Sequence, residues 1–223
     1  MQHKSFSRHD WLWLVPDWRR RLAARLAPQD AEILGGWIRA NRPLVVGRSQ
    51  PGDDPDSLRL GLALPRKRRI GVQISRAAIR AHGSPLTLTQ TLSAAPALWR
   101  PALAELAMEL EESGEEACVF GSLAWQYLAC SPDITYLTAD SDLDLLFRPS
   151  SWESLLRLTS VLQHFQDRHP APRLDGEIVL PDDDAVAWRE IANHPAKVLA
   201  KGMTGVRLRD LSDIRSLFTE VTA

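Results

Sequence analysis

The segment Asp142-Leu143-Asp144-Leu145-Leu146-Phe147 constrains this chain more than any other. Successive side chains of an extended strand point to opposite faces, so Leu143, Leu145 and Phe147 share one face while Asp142 and Asp144 share the other. Such a strand needs a core beneath it and a polar surface above it. On that surface two neighbouring carboxylates repel one another unless a cation lies between them. Hard oxygen donors at this spacing suit Mg²⁺, which takes one or two carboxylates and completes its shell with water and substrate phosphates.

The flanking sequence supplies the parts such a strand needs. Residues 173–180 have strand length, and their polar face offers Asp175 as a third carboxylate, with Glu177 as the alternative. Gly176 between them leaves room for a ligand or another backbone to come close. Upstream, residues 117–120 read as a short buried strand that ends in Gly121-Ser122 and feeds a helical run at 123–128. Unpaired N–H groups and the helix dipole favour anions at such a start; Gly121 permits close approach and Ser122 adds a hydroxyl. An irregular loop containing Pro132 then leads to Ser141.

Helices are expected at 101–112, where Leu103, Leu106, Ala107 and Leu110 form a stripe stopped by Gly114, and at 152–165, where Leu155, Leu158, Leu162 and Phe165 do the same. Strands are expected at 185–188 and 206–209, with a turn at 181–184 and a short helix at 211–218. The N-terminal third reads differently. Trp18, Leu22 and Leu26, then Ile33, Leu34, Trp37 and Ile38, recur at helical spacing around Pro28, which predicts a helical hairpin over 17–40. Three short runs at 44–48, 58–64 and 70–75 predict a small antiparallel sheet. The segment His82-Gly83-Ser84-Pro85 marks a boundary. The chain is therefore expected to be α+β: an N-terminal α/β domain over 1–84, for substrate binding or an accessory role, and a second domain of strands and helices over 85–223, which carries the acidic strand.

Composition removes several alternatives. With 223 residues and a formal net charge of -1, the chain has no global attraction for nucleic acid or an anionic membrane. Trp11 to Val15 is too short for a signal segment, and the run 102–110 is broken by Glu105 and Glu109, so neither export nor membrane insertion is expected. Cys118 and Cys130 lack metal-ligand spacing and are too few for a disulfide framework, which points to free thiols and the cytoplasm.

In the order helix, strand, Gly-Ser, helix, strand with Asp-x-Asp, helix, strand with Asp, the sequence resembles the DNA polymerase β-like nucleotidyltransferase superfamily. The loop from Ser122 to Asp142 is longer than most of that superfamily uses. A closer resemblance rests on Gly121-Ser122-Leu123-Ala124-Trp125-Gln126-Tyr127, Ser141-Asp142-Leu143-Asp144-Leu145-Leu146, Arg173-Leu174-Asp175-Gly176-Glu177 and Ala185-Val186-Ala187-Trp188-Arg189-Glu190. It extends through the N-terminal half at Arg8-His9-Asp10, Arg42-Pro43-Leu44-Val45-Val46 and Gly61-Leu62-Ala63-Leu64-Pro65 followed by Lys67-Arg68-Arg69-Ile70. These segments resemble the malonate decarboxylase holo-acyl-carrier-protein synthases, also called phosphoribosyl-dephospho-CoA transferases.

The resemblance implies a polymerase β-like catalytic domain and a defined reaction. A serine of the malonate decarboxylase acyl-carrier protein attacks the α-phosphorus of 2'-(5''-triphosphoribosyl)-3'-dephospho-CoA, and pyrophosphate leaves. The family's metal-binding aspartates fall on Asp142 and Asp144. Mg²⁺ held by Asp142, Asp144 and Asp175 would lower the pKa of the attacking serine, and Asp175 is also placed to accept its proton. A substrate with several negative charges calls for converging cations. Lys67, Arg68 and Arg69 at a turn, Lys201, and Arg42 and Arg48 around a strand are the candidates beside Gly121 and Ser122.

Other residues carry less. Arg19 to Arg21 lie on a helix's polar side, as a solvated face or a surface for an acidic carrier protein. His9-Asp10 lacks a third ligand and reads as a local hydrogen bond; His194 before Pro195 reads as a turn. Trp18 and Trp37 belong to a core, Trp188 is a weak candidate for stacking on adenine, and Asp182 to Asp184 look like turn residues rather than calcium ligands. Competing functions are adenylylation of a small molecule or protein, transfer to the citrate lyase carrier, and a non-catalytic binding module. The three carboxylates argue against the last.

Overall fold

The computed structural model describes residues 6–131, 133–138 and 140–220; the loop expectation at Pro132 falls outside them. The chain divides into two compact units, one running to Pro85 and including Met203–Gly205, the other comprising Leu86–Gly202 and the residues from Val206 onward. Among the described residues the strands form one sheet of five and one of seven. The α+β class read from the sequence is what the chain adopts.

The first unit contains β1 (Trp11–Leu14), α1 (Pro28–Arg39), β2 (Leu44–Val46), β3 (Ser57–Ala63), β4 (Arg69–Ser75) and β5 (Ile79–Gly83). Its strands are antiparallel in the order β4-β3-β2-β1-β5. Leu58, Leu60 and Leu62 alternate with exposed or half-buried residues, and Leu60 lies opposite Val72 between Ile70 and Ile74, so one face of the hairpin is core. Leu12, Leu34 and Leu44 are fully buried in the same unit.

The expected helical hairpin over 17–40 is corrected in its first half. Only one tight turn forms, Trp18–Arg21. The chain then runs extended beside β4, where the Ala23 N–H donates to the Gln73 carbonyl at 2.8 Å and Leu22 bridges Ile74. β4 is a sheet edge with unpaired backbone groups, and pairing with them displaces a marginal helix. Pro28 does open a helix, α1. β1 and β5 were not expected as strands.

The second unit runs β6 (Leu86–Thr87), α2 (Leu88–Thr91), α3 (Arg100–Glu112), β7 (Cys118–Val119), α4 (Gly121–Ala129), β8 (Leu143–Phe147), α5 (Trp152–Arg168), β9 (Leu174–Val179), β10 (Ala185–Ala187), α6 (Trp188–Ala192), β11 (Lys197–Lys201), β12 (Val206–Asp210) and α7 (Leu211–Glu220). The sheet order is β12-β11-β10-β9-β8-β7-β6. β8 and β9 are parallel and every other pair is antiparallel.

A parallel pair needs a crossover, and α5 supplies it. Ser151 caps α5 by accepting from the Ser154 N–H at 3.0 Å, and Leu155, Leu158, Leu162 and Phe165 are all fully buried. The helix packs on α3 and α6, and α6 packs on β9 and β10. The strand expected at 185–188 stops one residue early, because Trp188 opens α6. Among the described residues no helix is long and apolar enough to cross a membrane.

Candidate active site

The parallel register of β8 and β9 sets Asp144 opposite Asp175, with Leu143 opposite Leu174 and Leu145 opposite Gly176. Directly opposed residues share a sheet face, so the two carboxylates stand side by side. Beneath them Leu143, Leu145, Leu174 and Ile178 are fully buried. This apolar underside holds the acidic pair in place. Gly176 belongs to that underside: a Cβ there would lie 2.9 Å from the Leu145 carbonyl oxygen and 3.3 Å from Cδ1 of Trp188. The missing side chain admits Trp188 and close strand pairing, not a ligand.

α4 begins at Gly121, next to Asp144. Gly121 has φ +64, and a Cβ added to it would lie 1.8 Å from Asp144 Oδ2. The Ser122 backbone N–H donates to the Asp144 carboxylate, so the helix start faces the acid. The Asp144 pKa is nevertheless pushed up to about 6, first by burial and then by the charges of Asp175 and Asp142; the Ser122 hydrogen bond works in the opposite direction. Negative charge is crowded at this point.

Asp142 precedes β8, and its carboxylate is gripped by Arg173, with Nε to Oδ1 and Nη2 to Oδ2 both at 2.7 Å. This bond also holds the Arg173 pKa above its usual value. Arg173 was not singled out in the sequence. The signal was present: a parallel pairing that joins 144 to 175 also brings 173 to the level of 142. Asp175 is exposed, and its Oδ1 accepts the Gly176 N–H at 2.9 Å. Glu177, the alternative third carboxylate, is buried and accepts from Lys201 Nζ at 3.0 Å.

Donor chemistry at this site fits a hard divalent cation: carboxylate oxygens beside two paired strands, where burial and then neighbouring negative charge disfavour ionisation of Asp144. Among the described residues no three His, Cys, Asp or Glu side chains stand as a ready-made ligand group. Asp142 pairs with the Arg173 guanidinium.

Lys67, Arg68 and Arg69 lie in the first unit at the exposed tip of the β3–β4 hairpin, where Arg66 and Lys67 have φ of 60 and 61 and Arg68 pairs with Asp30. Arg42 lies over the Trp37 ring at 4.9 Å, and Arg19 over Trp18 at 5.5 Å. Asp10 accepts from the Ser7 N–H and pairs with His82 Nε2, both at 2.9 Å, which ties a loop together. His194 lies in the turn after α6. Trp188 is buried with Arg189 at 4.5 Å from its ring centre, so it offers no face to adenine. Asp182 and Asp184 bind Arg207 and Arg209.

A family model described as the phosphoribosyl-dephospho-CoA transferase MdcG C-terminal domain matches residues 87–212, and the MdcG N-terminal domain model matches residues 7–85. A curated relative from Xanthomonas axonopodis pv. citri (strain 306), named phosphoribosyl-dephospho-CoA transferase, is 36% identical over 206 residues, covering 90% of this chain and 92% of its own length. A relative of the same name from Bradyrhizobium diazoefficiens (strain JCM 10833 / BCRC 13528 / IAM 13628 / NBRC 14792 / USDA 110) is 32% identical over 207 residues, covering 91% and 89%. No solved structure matches. The fold and these matches define a transferase. The chain belongs to the phosphoribosyl-dephospho-CoA transferase family MdcG.

Proposed function

We propose that the chain transfers the phosphoribosyl-dephospho-CoA group of 2'-(5''-triphosphoribosyl)-3'-dephospho-CoA to a serine of the malonate decarboxylase acyl-carrier protein. The observation that carries this reading is the Asp144–Asp175 pair beside the start of α4, in a chain whose two halves both match MdcG models. The serine oxygen forms a bond to the α-phosphorus. The bond from that phosphorus to its bridging oxygen breaks, and the electron pair leaves on pyrophosphate.

Each residue has a task that its position supports. Asp175, exposed at the head of the pair, takes the serine proton. Asp142, Asp144 and Asp175 would hold Mg²⁺, which when bound supplies a positive charge that acidifies the serine hydroxyl and neutralises phosphate oxygens. Gly121 and Ser122 present the helix start to a phosphate oxygen. Lys201 lies on the same sheet face as Glu177 and bonds to it; the first unit, which carries Lys67, Arg68 and Arg69 at an exposed hairpin tip, has a substrate-binding or accessory role.

Intact-mass measurement of the purified carrier protein after incubation with the chain, Mg²⁺ and the triphosphoribosyl precursor tests the proposal. The carrier should gain the mass of one phosphoribosyl-dephospho-CoA group, and the gain should vanish when its acceptor serine is changed to alanine. Labelling from ATP in place of the precursor, with no mass gain on the carrier, would overturn it in favour of adenylylation.

A further inference from the structure

We propose that Arg173 is a phosphate-binding residue of the transfer site, which exchanges its bond to the Asp142 carboxylate for one to the triphosphate when substrate enters. The inference rests on the transferase reading of this site and adds a residue to it.

Its backbone position is fixed independently of its side chain. The Leu143 N–H donates to the Arg173 carbonyl at 2.9 Å, and five registered residue pairs from Leu143–Leu174 to Phe147–Ile178 follow. The ladder therefore holds the strands together without the guanidinium's bond to Asp142. Its side chain is 63% exposed and that of Asp142 34% exposed. An ion pair so open to water contributes little to stability, so it exchanges readily.

What the guanidinium can exchange for follows from its shape. The planar fork that matches both oxygens of Asp142 matches two oxygens of a phosphate equally well. The substrate brings a triphosphate to a row of carboxylates, where it meets repulsion unless fixed cations accompany it. Lys201 is engaged by the buried Glu177. Arg173, at the exposed end of the row, is placed to meet the anion. Its departure also removes a competitor for the Asp142 carboxylate, so cation and phosphate binding support each other by linkage.

The test uses the full chain and two probes, Mn²⁺ alone and inorganic tripolyphosphate with Mn²⁺ present. In Arg173→Gln one competitor for Asp142 is gone, and Mn²⁺ should bind about threefold more tightly, the scale of an exposed ion pair. Tripolyphosphate should bind at least about tenfold more weakly, the scale of a lost charged hydrogen bond. Arg173→Lys, which keeps the charge without the fork, should fall between.

A purely structural Arg173 predicts a lowered melting temperature with both affinities unchanged, and that result overturns the inference. So does a wild-type chain that binds no tripolyphosphate. Neither probe involves the carrier serine. Failure of carrier modification with both affinity shifts intact therefore counts against the proposed function, and carrier modification with unaltered affinities counts against Arg173.

Discussion

Gly121 and Asp144 are fitted to one another: a Cβ on the glycine would lie 1.8 Å from the acid's Oδ2, and the glycine's φ of +64 is one that other residues adopt only with strain. The helix start and the acidic strand can meet only because position 121 has no side chain. Gly121→Ala should therefore push the Asp144 carboxylate off its Ser122 N–H and lower carrier modification by about a hundredfold, as loss of a positioned charged group does. Denaturant unfolding should show a loss of about 1–3 kcal/mol, the range for overpacking plus backbone strain. Wild-type transfer rates in this variant would remove Asp144 from the site.

The raised Asp144 pKa makes a prediction about pH. In the unfolded chain this carboxyl titrates near 3.8, and in the folded chain at about 6. Between those values the folded state binds more protons than the unfolded state, so stability falls as pH rises through that window. The penalty is absent below about pH 4 and complete above about pH 7, reaching about 2–3 kcal/mol. In metal-free buffer Asp144→Asn should be more stable than wild type by up to that amount at pH 8, and the gap should close towards pH 4. Urea unfolding at both pH values checks it; a gap independent of pH would be contrary to the burial and charge crowding assigned to Asp144.

Gly176 tests the apolar underside. A methyl group at this position meets the Leu145 carbonyl oxygen at 2.9 Å and the Trp188 ring at 3.3 Å, and neither can retreat from a buried ladder. Gly176→Ala should cost about 1–3 kcal/mol of stability. Because Asp144 and Asp175 ride on that ladder, carrier modification should fall as well. Thermal unfolding and initial rates on one preparation measure both effects.

How much of this was legible depended on whether a pattern answered to local or to distant partners. β8 was readable because Leu143, Leu145 and Phe147 alternate over one core face, although Leu146 beside Asp144 on the other face is buried too, against Val179 and Ala185; α5 was readable because four buried residues recur at helical spacing. Leu22 and Leu26 mimic the same spacing, yet the chain there pairs with the β4 edge, which no local window contains. β1 has four consecutive apolar residues, too few to show a period, and β5 has an exposed, mixed composition. In the site, the pairing of Asp144 with Asp175 follows from strand alternation plus one parallel register. The Arg173–Asp142 fork needed that register to be known first.

Asp184 ties two strands together from the acidic turn after β9. The Leu180 N–H donates to the Asp184 carbonyl at 2.7 Å, closing the turn between β9 and β10. The Asp184 carboxylate is buried, and its Oδ2 accepts from Arg207 Nε at 2.9 Å and Arg209 Nη1 at 3.2 Å, with Asp182 beside it. These contacts tie β12 back to the β9–β10 turn. Removing one partner of a buried charge group leaves the others uncompensated, at a cost near 3–5 kcal/mol, and the partial exposure of Arg207 brings this to about 2–3 kcal/mol. Asp184→Ala should lose that much stability in urea, Asp182→Ala less, and neither should change Mn²⁺ affinity. A selective loss of Mn²⁺ binding in Asp184→Ala, with stability intact, would move the cation site to this turn.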